Sequence, residues 1–193
     1  MKVAIIGAGN MGRRYSSILT FYRIAHDLFD VDTWKNASGY DYYIIASSTE
    51  AHEANIEHFL PMNKPILCEK PIVKDLKLVE EYFEYPNFQM VDQYRHLVSD
   101  DWIGPTAYDY FKSGSDTIAW DCINIIGHAN KKPTISNVSP VWRCQINGLH
   151  LNIGDMDRAY MKEINSFLMQ PRSNKAHGLK AHKRVVNNWF QIK

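Results

Sequence analysis

Apolar and polar positions alternate along the first ninety residues in a way that predicts strands and helices in turn. Five short apolar runs predict β-strands at residues 2–6, 26–31, 42–46, 65–68 and 88–91. After the first strand, apolar side chains recur at helical spacing at Met11, Tyr15, Ile18, Leu19 and Tyr22. This alternation predicts an α/β fold with a parallel sheet, in which ligands bind beyond the carboxyl ends of the strands.

The connection between the second and third predicted strands is unusually short. Only nine residues separate Asp32 from Tyr42, whereas a helical crossover between parallel strands takes about a dozen or more. We therefore expect that at least one helix of the usual dinucleotide-binding fold is missing at this point.

The pattern changes after about residue 94, which predicts a second domain. We expect a Rossmann-type parallel-sheet domain at residues 1–95 and a reduced α+β domain with a small antiparallel sheet at 96–193, whose last helices are able to pack on the first domain. The predicted elements are a strand at 108–111, a helix at 117–126, a hairpin at 141–153, a helix capped by Asp155 that ends before Pro171, and a helix at 179–190.

The hairpin has the clearest local signal of the second half. Asn147-Gly148 is favoured in a two-residue turn, and this turn pairs Ile146 with Leu149, Cys144 with Leu151 and Trp142 with Ile153. The opposite face is polar, and we expect it to contact solvent, substrate or a second subunit.

Composition narrows the class of protein. The 193 residues include 22 Lys and Arg and 21 Asp and Glu, for a net charge of +1, so no excess of basic residues points to nucleic acid. No apolar run reaches the length of about 20 residues that spans a membrane. Cys68, Cys122 and Cys144 lack metal-ligand spacing, so we expect no metal, and without a signal-peptide pattern we expect a cytoplasmic protein.

A glycine-rich motif, Gly7-Ala8-Gly9-Asn10-Met11-Gly12, follows the first strand and opens the first helix. In this context Gly7 permits a tight turn, Gly9 lets a pyrophosphate approach the backbone, and Gly12 lets helix and strand pack closely. The helix N-terminus, including Asn10 and Met11, offers N–H donors to an anion. The motif predicts a site for NAD or NADP.

Two carboxylates stand where a ribose is usually bound. Asp30 and Asp32 lie 18 and 20 residues beyond Gly12, and either is able to accept hydrogen bonds from ribose hydroxyls, which favours NAD over NADP. The neighbouring Lys35 leaves NADP open, and a solvated acidic loop is the alternative interpretation.

Three motifs in order resemble the glucose-fructose oxidoreductase and inositol dehydrogenase family (Gfo/Idh/MocA). They are the glycine motif, the segment Ala46-Ser47-Ser48-Thr49-Glu50-Ala51-His52 and the segment Cys68-Glu69-Lys70-Pro71. Later segments, including Gln93-Tyr94-Arg95, Ile103-Gly104 and residues 160–186, are also similar. The chain thus resembles a shortened member of this family.

The resemblance implies an NAD(P)-dependent enzyme that transfers a hydride at a hydroxyl or carbonyl carbon of a sugar, a polyol or a related compound. By position, Ser47, Ser48 and His52 would line the coenzyme and Glu69 would approach its nicotinamide. Lys70 would handle the proton of the substrate hydroxyl, and Tyr94 would contact the substrate. Relatives associate through their second-domain sheets, which implies a homodimer.

The chain departs from the family pattern at the usual acid/base histidine. Many relatives place Asp and His four residues apart, whereas this chain has Asp116 and, four residues later, Trp120. Asp121 is the candidate acid/base partner of Lys70 in place of this histidine, and His128, Tyr94 and His96 are alternatives. The missing histidine keeps open a second function, a catalytically silent NAD(P)-binding protein that acts as a sensor or assembly component.

Overall fold

The computed structural model describes residues 1–96, 109–111, 134–136, 143–146, 149–151, 153–171, 173, 175 and 178–179. The chain forms two compact units. The first consists of Met1–Val91 and Ile164–Ala176, and the second of Asp92–Glu163 and His177–Lys193.

The first unit contains a five-stranded sheet whose strand pairs are all parallel. Its strands are β1 (Lys2–Ile6), β2 (Ala25–Phe29), β3 (Tyr42–Ile45), β4 (Ile66–Cys68) and β5 (Phe88–Met90), in the order β2-β1-β3-β4-β5. The connecting helices are α1 (Asn10–Phe21), α2 (Thr49–Phe59) and α3 (Leu76–Tyr82). The predicted Rossmann-type sheet is confirmed, with strand ends that differ by one or two residues from the sequence-based ones.

The core lies where the central strands meet α1 and α2. All residues from Val3 to Ile6 and from Tyr43 to Ile45 are buried, as expected for strands covered on both faces. The α1 face predicted from helical spacing is buried at Tyr15, Ile18 and Leu19. Asp75 is the N-cap of α3, and its carboxylate accepts a 2.8 Å hydrogen bond from the Lys77 amide.

The short connection predicted between the second and third strands is confirmed. Between β2 and β3 the chain makes a single 3-10 turn at Trp34–Asn36 and no α-helix. In the described part of the sheet, β2 is therefore an edge strand, paired only with β1. The place of a crossover helix and a further strand is taken by a loop that begins at the carboxyl end of β2.

The helix α4 (Ile153–Met169) contributes its last turns to the first unit. The Phe167 ring packs edge-on against the Tyr42 ring, with centroids 5.5 Å apart, and the Tyr42 hydroxyl donates to the Leu168 carbonyl at 3.2 Å. Ile164, Phe167 and Leu168 are all buried, at the spacing of one helical face. None of the helices in the described ranges is long and apolar enough to cross a membrane.

The second unit contains a mixed sheet with the order β7-β6-β8-β9. Its strands are β6 (Asp109–Phe111), β7 (Thr134–Ser136), β8 (Arg143–Ile146) and β9 (Leu149–Leu151). The predicted hairpin register is confirmed at Ile146 with Leu149 and at Cys144 with Leu151. The pairs β6–β8 and β8–β9 are antiparallel, as expected for this small sheet, whereas β7 runs parallel to β6.

Two details of the hairpin and the following helix also differ from the prediction. Ile153 is the first residue of α4, its predicted strand partner Trp142 lies outside the described residues, and Asp155 lies in the first helical turn instead of capping it. The apolar spacing of Ile153 suits either a strand or the helix face, and the helix includes it. The predicted helix at 117–126 and most of the one at 179–190 lie outside the described residues.

Candidate functional site

The loops that follow four of the strands meet at one edge of the sheet. The first residue after each of these strands continues the parallel ladder by donating its amide N–H to the neighbouring strand at 2.7–2.9 Å; these donors are Gly7, Ala46, Glu69 and Val91. The glycine motif, the Ser47 segment and the Glu69-Lys70 segment therefore begin side by side at the carboxyl edge, as predicted for a ligand site.

A cavity of about 590 Å³ opens between the loops after β1, β2 and β3, within the size range of small-molecule sites. Its lining residues are Ile6, Gly7, Ala8, Gly9, Asn10, Met11, Asp30, Val31, Trp34, Ala46, Ser47, Ser48, Ala51 and Asn55. The structure thus brings together seven of the predicted coenzyme residues: Gly7, Gly9, Asn10, Met11, Asp30, Ser47 and Ser48.

The three glycines of the motif differ in what a side chain would meet. Gly7 has φ +114°, and a methyl group there would lie 2.5 Å from the Ala46 carbonyl oxygen. A methyl group on Gly12 would lie 1.7 Å from the Gly7 carbonyl oxygen, whereas one on Gly9 would meet no atom within 4 Å. Gly7 and Gly12 are therefore needed to close the turn, and the space at Gly9 is open to a ligand.

The first turn of α1 faces this open space. Gly9 is the N-cap residue of α1 and the first helical turn carries no acidic side chain. The exposed N–H groups of a helix N-terminus, together with its partial positive charge, attract an anion such as a pyrophosphate. The glycine cradle, the helix N-terminus and the lining of the cavity fit a dinucleotide.

Asp30 presents an ionised carboxylate at the end of β2. Its Oδ1 accepts hydrogen bonds from the Thr33 hydroxyl at 2.8 Å and from the Asp32 and Thr33 amides, both at 3.1 Å. These bonds, the one from the Thr33 hydroxyl most of all, lower the pKa of Asp30 below its usual value. All three donors bind the same oxygen, Oδ1, so the turn fixes the carboxylate with Oδ2 on the side away from these donors.

His52 and Glu69 are not among the residues that line the cavity. His52 is buried, and its two ring nitrogens lie against backbone carbonyls of Ser47, Pro71 and Ile72. Glu69 is also buried, and its carboxylate accepts from the Tyr15 hydroxyl and from the Lys70 amide. His52 therefore lies outside the cavity lining, with its ring against backbone carbonyls, and the expectation that it lines the coenzyme stays a prediction.

Lys70 is the second residue beyond β4, at the same edge of the sheet as the cavity. The Lys70–Pro71 peptide bond is cis, and the Lys70 amide donates to the Glu69 carboxylate at 3.1 Å. Its backbone is thus anchored by the residue before it.

The other predicted catalytic and substrate residues belong to the second unit. Tyr94 lies in a 3-10 turn at Gln93–His96, and Asp121 and His128 lie outside the described residues. In the same turn, His96 Nε2 lies 2.8 Å from Oε2 of Glu163, whose side chain is fully buried. His96 is therefore a histidine oriented by a carboxylate within this unit.

The other seven cavity residues were not among the predicted site residues: Ile6, Ala8, Val31, Trp34, Ala46, Ala51 and Asn55. The Trp34 indole packs edge-on against the rings of His58 and Phe59, with centroids 5.1 Å and 6.1 Å away. Asn55 is buried and its Oδ1 accepts from the Ser47 hydroxyl at 2.6 Å. Trp34 could have been predicted as a site residue. It is an aromatic residue in the shortened loop that follows Asp30, and this loop lies beside the predicted ribose site.

Lys35 is the residue that kept NADP as an alternative coenzyme in the sequence analysis. Its Nζ lies 5.5 Å from the centroid of the Trp34 ring, and Lys35 does not line the cavity. Within the described ranges, no three His, Cys, Asp or Glu side chains converge as a metal site would require.

The fold and the cavity together define a Rossmann-type protein with a cradle for a dinucleotide at the carboxyl edge of its sheet. Residues 20–87 match the model of the Gfo/Idh/MocA oxidoreductase family, described as an NAD-binding Rossmann fold. The resemblance predicted from the three motifs is thereby confirmed. The chain has no significant match among curated protein sequences.

Several solved structures of dehydrogenases and oxidoreductases have a similar fold. A myo-inositol dehydrogenase from Corynebacterium glutamicum matches with a TM-score of 0.70 and 14% identity, over 99% of this chain and 96% of the other. A Gfo/Idh/MocA family oxidoreductase from Vibrio cholerae matches with a TM-score of 0.68 and 11% identity, over 100% and 98%. The myo-inositol dehydrogenase from Lactobacillus casei, in complex with NAD(H) and myo-inositol, matches with 0.65 and 14%, over 97% and 95%. At these identities the likeness concerns the fold.

Proposed function

We propose that the protein is an NAD-dependent oxidoreductase that transfers a hydride between the coenzyme and a hydroxyl or carbonyl carbon of a sugar-like or polyol substrate. The observation that carries the proposal is the cavity between the glycine turn, Asp30 and Ser47 at the carboxyl edge of the sheet. The family match at residues 20–87 and the myo-inositol complex of a structural relative support the same conclusion.

In this proposal, different cavity residues bind different parts of the coenzyme. The backbone around Gly9, Asn10 and Met11 binds the pyrophosphate, because its N–H groups face the cavity at the N-terminus of α1. Asp30 accepts hydrogen bonds from the adenosine ribose, and Ser47 and Ser48 line the wall towards the nicotinamide. Gly12 and Glu69 act indirectly, by closing the turn and by anchoring Lys70.

Bound NAD supplies a hydride acceptor. The proton of the substrate hydroxyl must leave when the hydride does, and we assign its removal or relay to the Lys70 amine. Asp121 is the proposed partner in this proton transfer, and Tyr94 a proposed substrate contact.

NAD is the proposed coenzyme, in preference to NADP, because the ionised Asp30 would repel a 2′-phosphate. Replacing Asp30 by Ala is expected to raise NADPH affinity relative to NADH by about tenfold or more. Fluorescence titration of both reduced coenzymes measures this ratio. Asp32→Ala is the matched control, because Asp32 is not a cavity residue and its removal should leave the ratio unchanged. An unchanged ratio in Asp30→Ala would remove Asp30 from coenzyme selection.

Trp34 is proposed to form the wall against which the adenine ring packs. Trp34→Ala is expected to weaken ADP-ribose binding roughly tenfold, since stacking of a base on an aromatic side chain contributes about 1–3 kcal/mol. Nicotinamide mononucleotide, which lacks adenine, should bind both proteins equally. Calorimetric titration with ADP-ribose and with nicotinamide mononucleotide tests the assignment. Equal weakening of the binding of these two compounds would show a general loss of structure instead of a lost adenine contact.

The enzymatic proposal is tested with purified protein, NAD and a panel of polyols and sugars. Formation of reduced coenzyme with at least one compound, and its loss in Lys70→Ala, is the expected result. Tight coenzyme binding with no turnover on any compound would favour the catalytically silent NAD-binding protein, the second function that the missing histidine permits.

We further propose a cytoplasmic homodimer that associates through the polar face of the hairpin predicted at residues 141–153. Light scattering at several protein concentrations determines the mass in solution, and a monomer at all of them would contradict the dimer.

A further inference from the structure

The segment from Glu69 to Ile72, here called the Lys70 loop, is held from two sides by buried side chains. On one side, the Tyr15 hydroxyl from α1 donates to Oε1 of Glu69. Tyr15 is fully buried and Glu69 is 6% exposed. The other oxygen of Glu69 accepts the Lys70 amide at 3.1 Å, so one carboxylate joins the coenzyme-side helix to the backbone of Lys70.

On the other side, His52 from α2 connects the Lys70 loop to the wall of the cavity. Its Nδ1 lies 2.8 Å from the Pro71 carbonyl oxygen and 3.0 Å from that of Ile72, and its Nε2 lies 3.1 Å from that of Ser47. Because all three carbonyl oxygens are acceptors, the ring donates to both segments at once when each of its nitrogens carries a proton. Ser47 lines the cavity and donates to Asn55, another lining residue, at 2.6 Å.

We propose that His52 and Tyr15 are positioning residues, which fix the backbone of Lys70 with respect to the coenzyme wall. A lysine amine sits on a flexible four-carbon stem, so its place beside a ligand depends on how firmly its backbone is held. Buried hydrogen bonds from two different helices hold this backbone. This inference rests on the proposed function, because the proposed function is what requires Lys70 to act beside the bound coenzyme.

If His52 and Tyr15 position Lys70, coenzyme binding changes how often the Lys70 loop opens, which a purely stabilising role would not cause. A ligand that contacts Ser47 also restrains the carbonyl on which His52 Nε2 rests, and through the ring it restrains Pro71 and Ile72. Coenzyme binding therefore slows the opening of the Lys70 loop, and this effect depends on His52 and on the Tyr15 hydroxyl. A role in stability alone would lower the unfolding temperature and leave the effect of the ligand intact.

Hydrogen exchange of the full chain, with and without saturating ADP-ribose, tests this coupling. In the wild-type protein we expect about tenfold slower exchange both at residues 7–12 and at the amides of residues 70 and 72–74. In His52→Gln, and separately in Tyr15→Phe, the slowing at 7–12 should persist while that at 70–74 falls to about twofold or less.

His26→Gln is the matched control. His26 is a half-buried histidine whose ring nitrogens contact the Ser16 hydroxyl and the Ile24 carbonyl, away from the Lys70 loop, so the control should behave as wild type. Tyr15→Phe keeps the test decisive if His52→Gln does not fold, because it removes a single oxygen.

The possible results separate the inference from the function on which it rests. Equal protection of residues 70–74 in the wild type and both variants, or protection confined to residues 7–12 in the wild type, overturns the positioning role and leaves coenzyme binding in place. An absence of ADP-ribose protection anywhere in the wild type overturns both proposals.

Discussion

Replacing Lys70 by methionine is expected to lower turnover by about 10²- to 10⁴-fold, the range that positioned acid–base groups contribute, and to leave NADH affinity unchanged. Methionine has a similar length and no titratable group, so the variant removes the proton acceptor and keeps the shape. Steady-state kinetics on the substrate found in the polyol and sugar panel, together with NADH titration, separate the two effects.

Lys70→Arg is the informative control for this prediction. The guanidinium keeps the positive charge and does not release its proton in proteins, so it should restore little of the lost activity if Lys70 moves a proton. Recovery in the arginine variant would mean that Lys70 acts by its charge alone, and turnover by Lys70→Met within about tenfold of wild type would remove it from the reaction.

Gly12→Ala is expected to have the largest effect on stability, a loss of about 3 kcal/mol or more in the free energy of unfolding. The added methyl group would lie 1.7 Å from the carbonyl oxygen of Gly7 and 2.9 Å from its carbonyl carbon. Both atoms belong to backbone at the end of β1, which has little freedom to move. Denaturant unfolding measures the change.

Gly9→Ala makes the same chemical change three residues earlier, where a methyl group would meet no protein atom within 4 Å. We expect its stability to stay within about 1 kcal/mol of wild type, the usual scale of an N-cap change. Its coenzyme affinity should fall, because the methyl group occupies the space through which the pyrophosphate approaches. Equal stability of Gly9→Ala and Gly12→Ala would contradict the geometry of the turn.

The parts of the fold and site that could be predicted are those encoded by neighbouring residues. The glycine turn, Asp30 and Ser47 each follow an apolar run directly, and parallel strands bring their carboxyl ends to one edge of the sheet. The short connection after β2 was readable from loop length. The hairpin register followed from Asn147-Gly148, because the turn fixes the pairing of both strands.

The parts that were missed depend on contacts between distant segments. The position of His52 in a motif did not predict that its Nδ1 lies against backbone carbonyls 19 and 20 residues away. No local sequence pattern predicts that β7 pairs parallel to β6. Trp34 becomes a cavity residue only because β2 and β3 both flank β1, which brings their connecting loop over the carboxyl edge.

Calorimetric titration of the wild-type chain with NADH tests the central claim, that the glycine turn and the β2 and β3 loops form a coenzyme site. We predict saturable binding of one NADH per chain, with affinity strongly reduced in Gly9→Ala. Absence of binding to the wild type, or equal binding to the folded Gly9→Ala variant, would contradict the account.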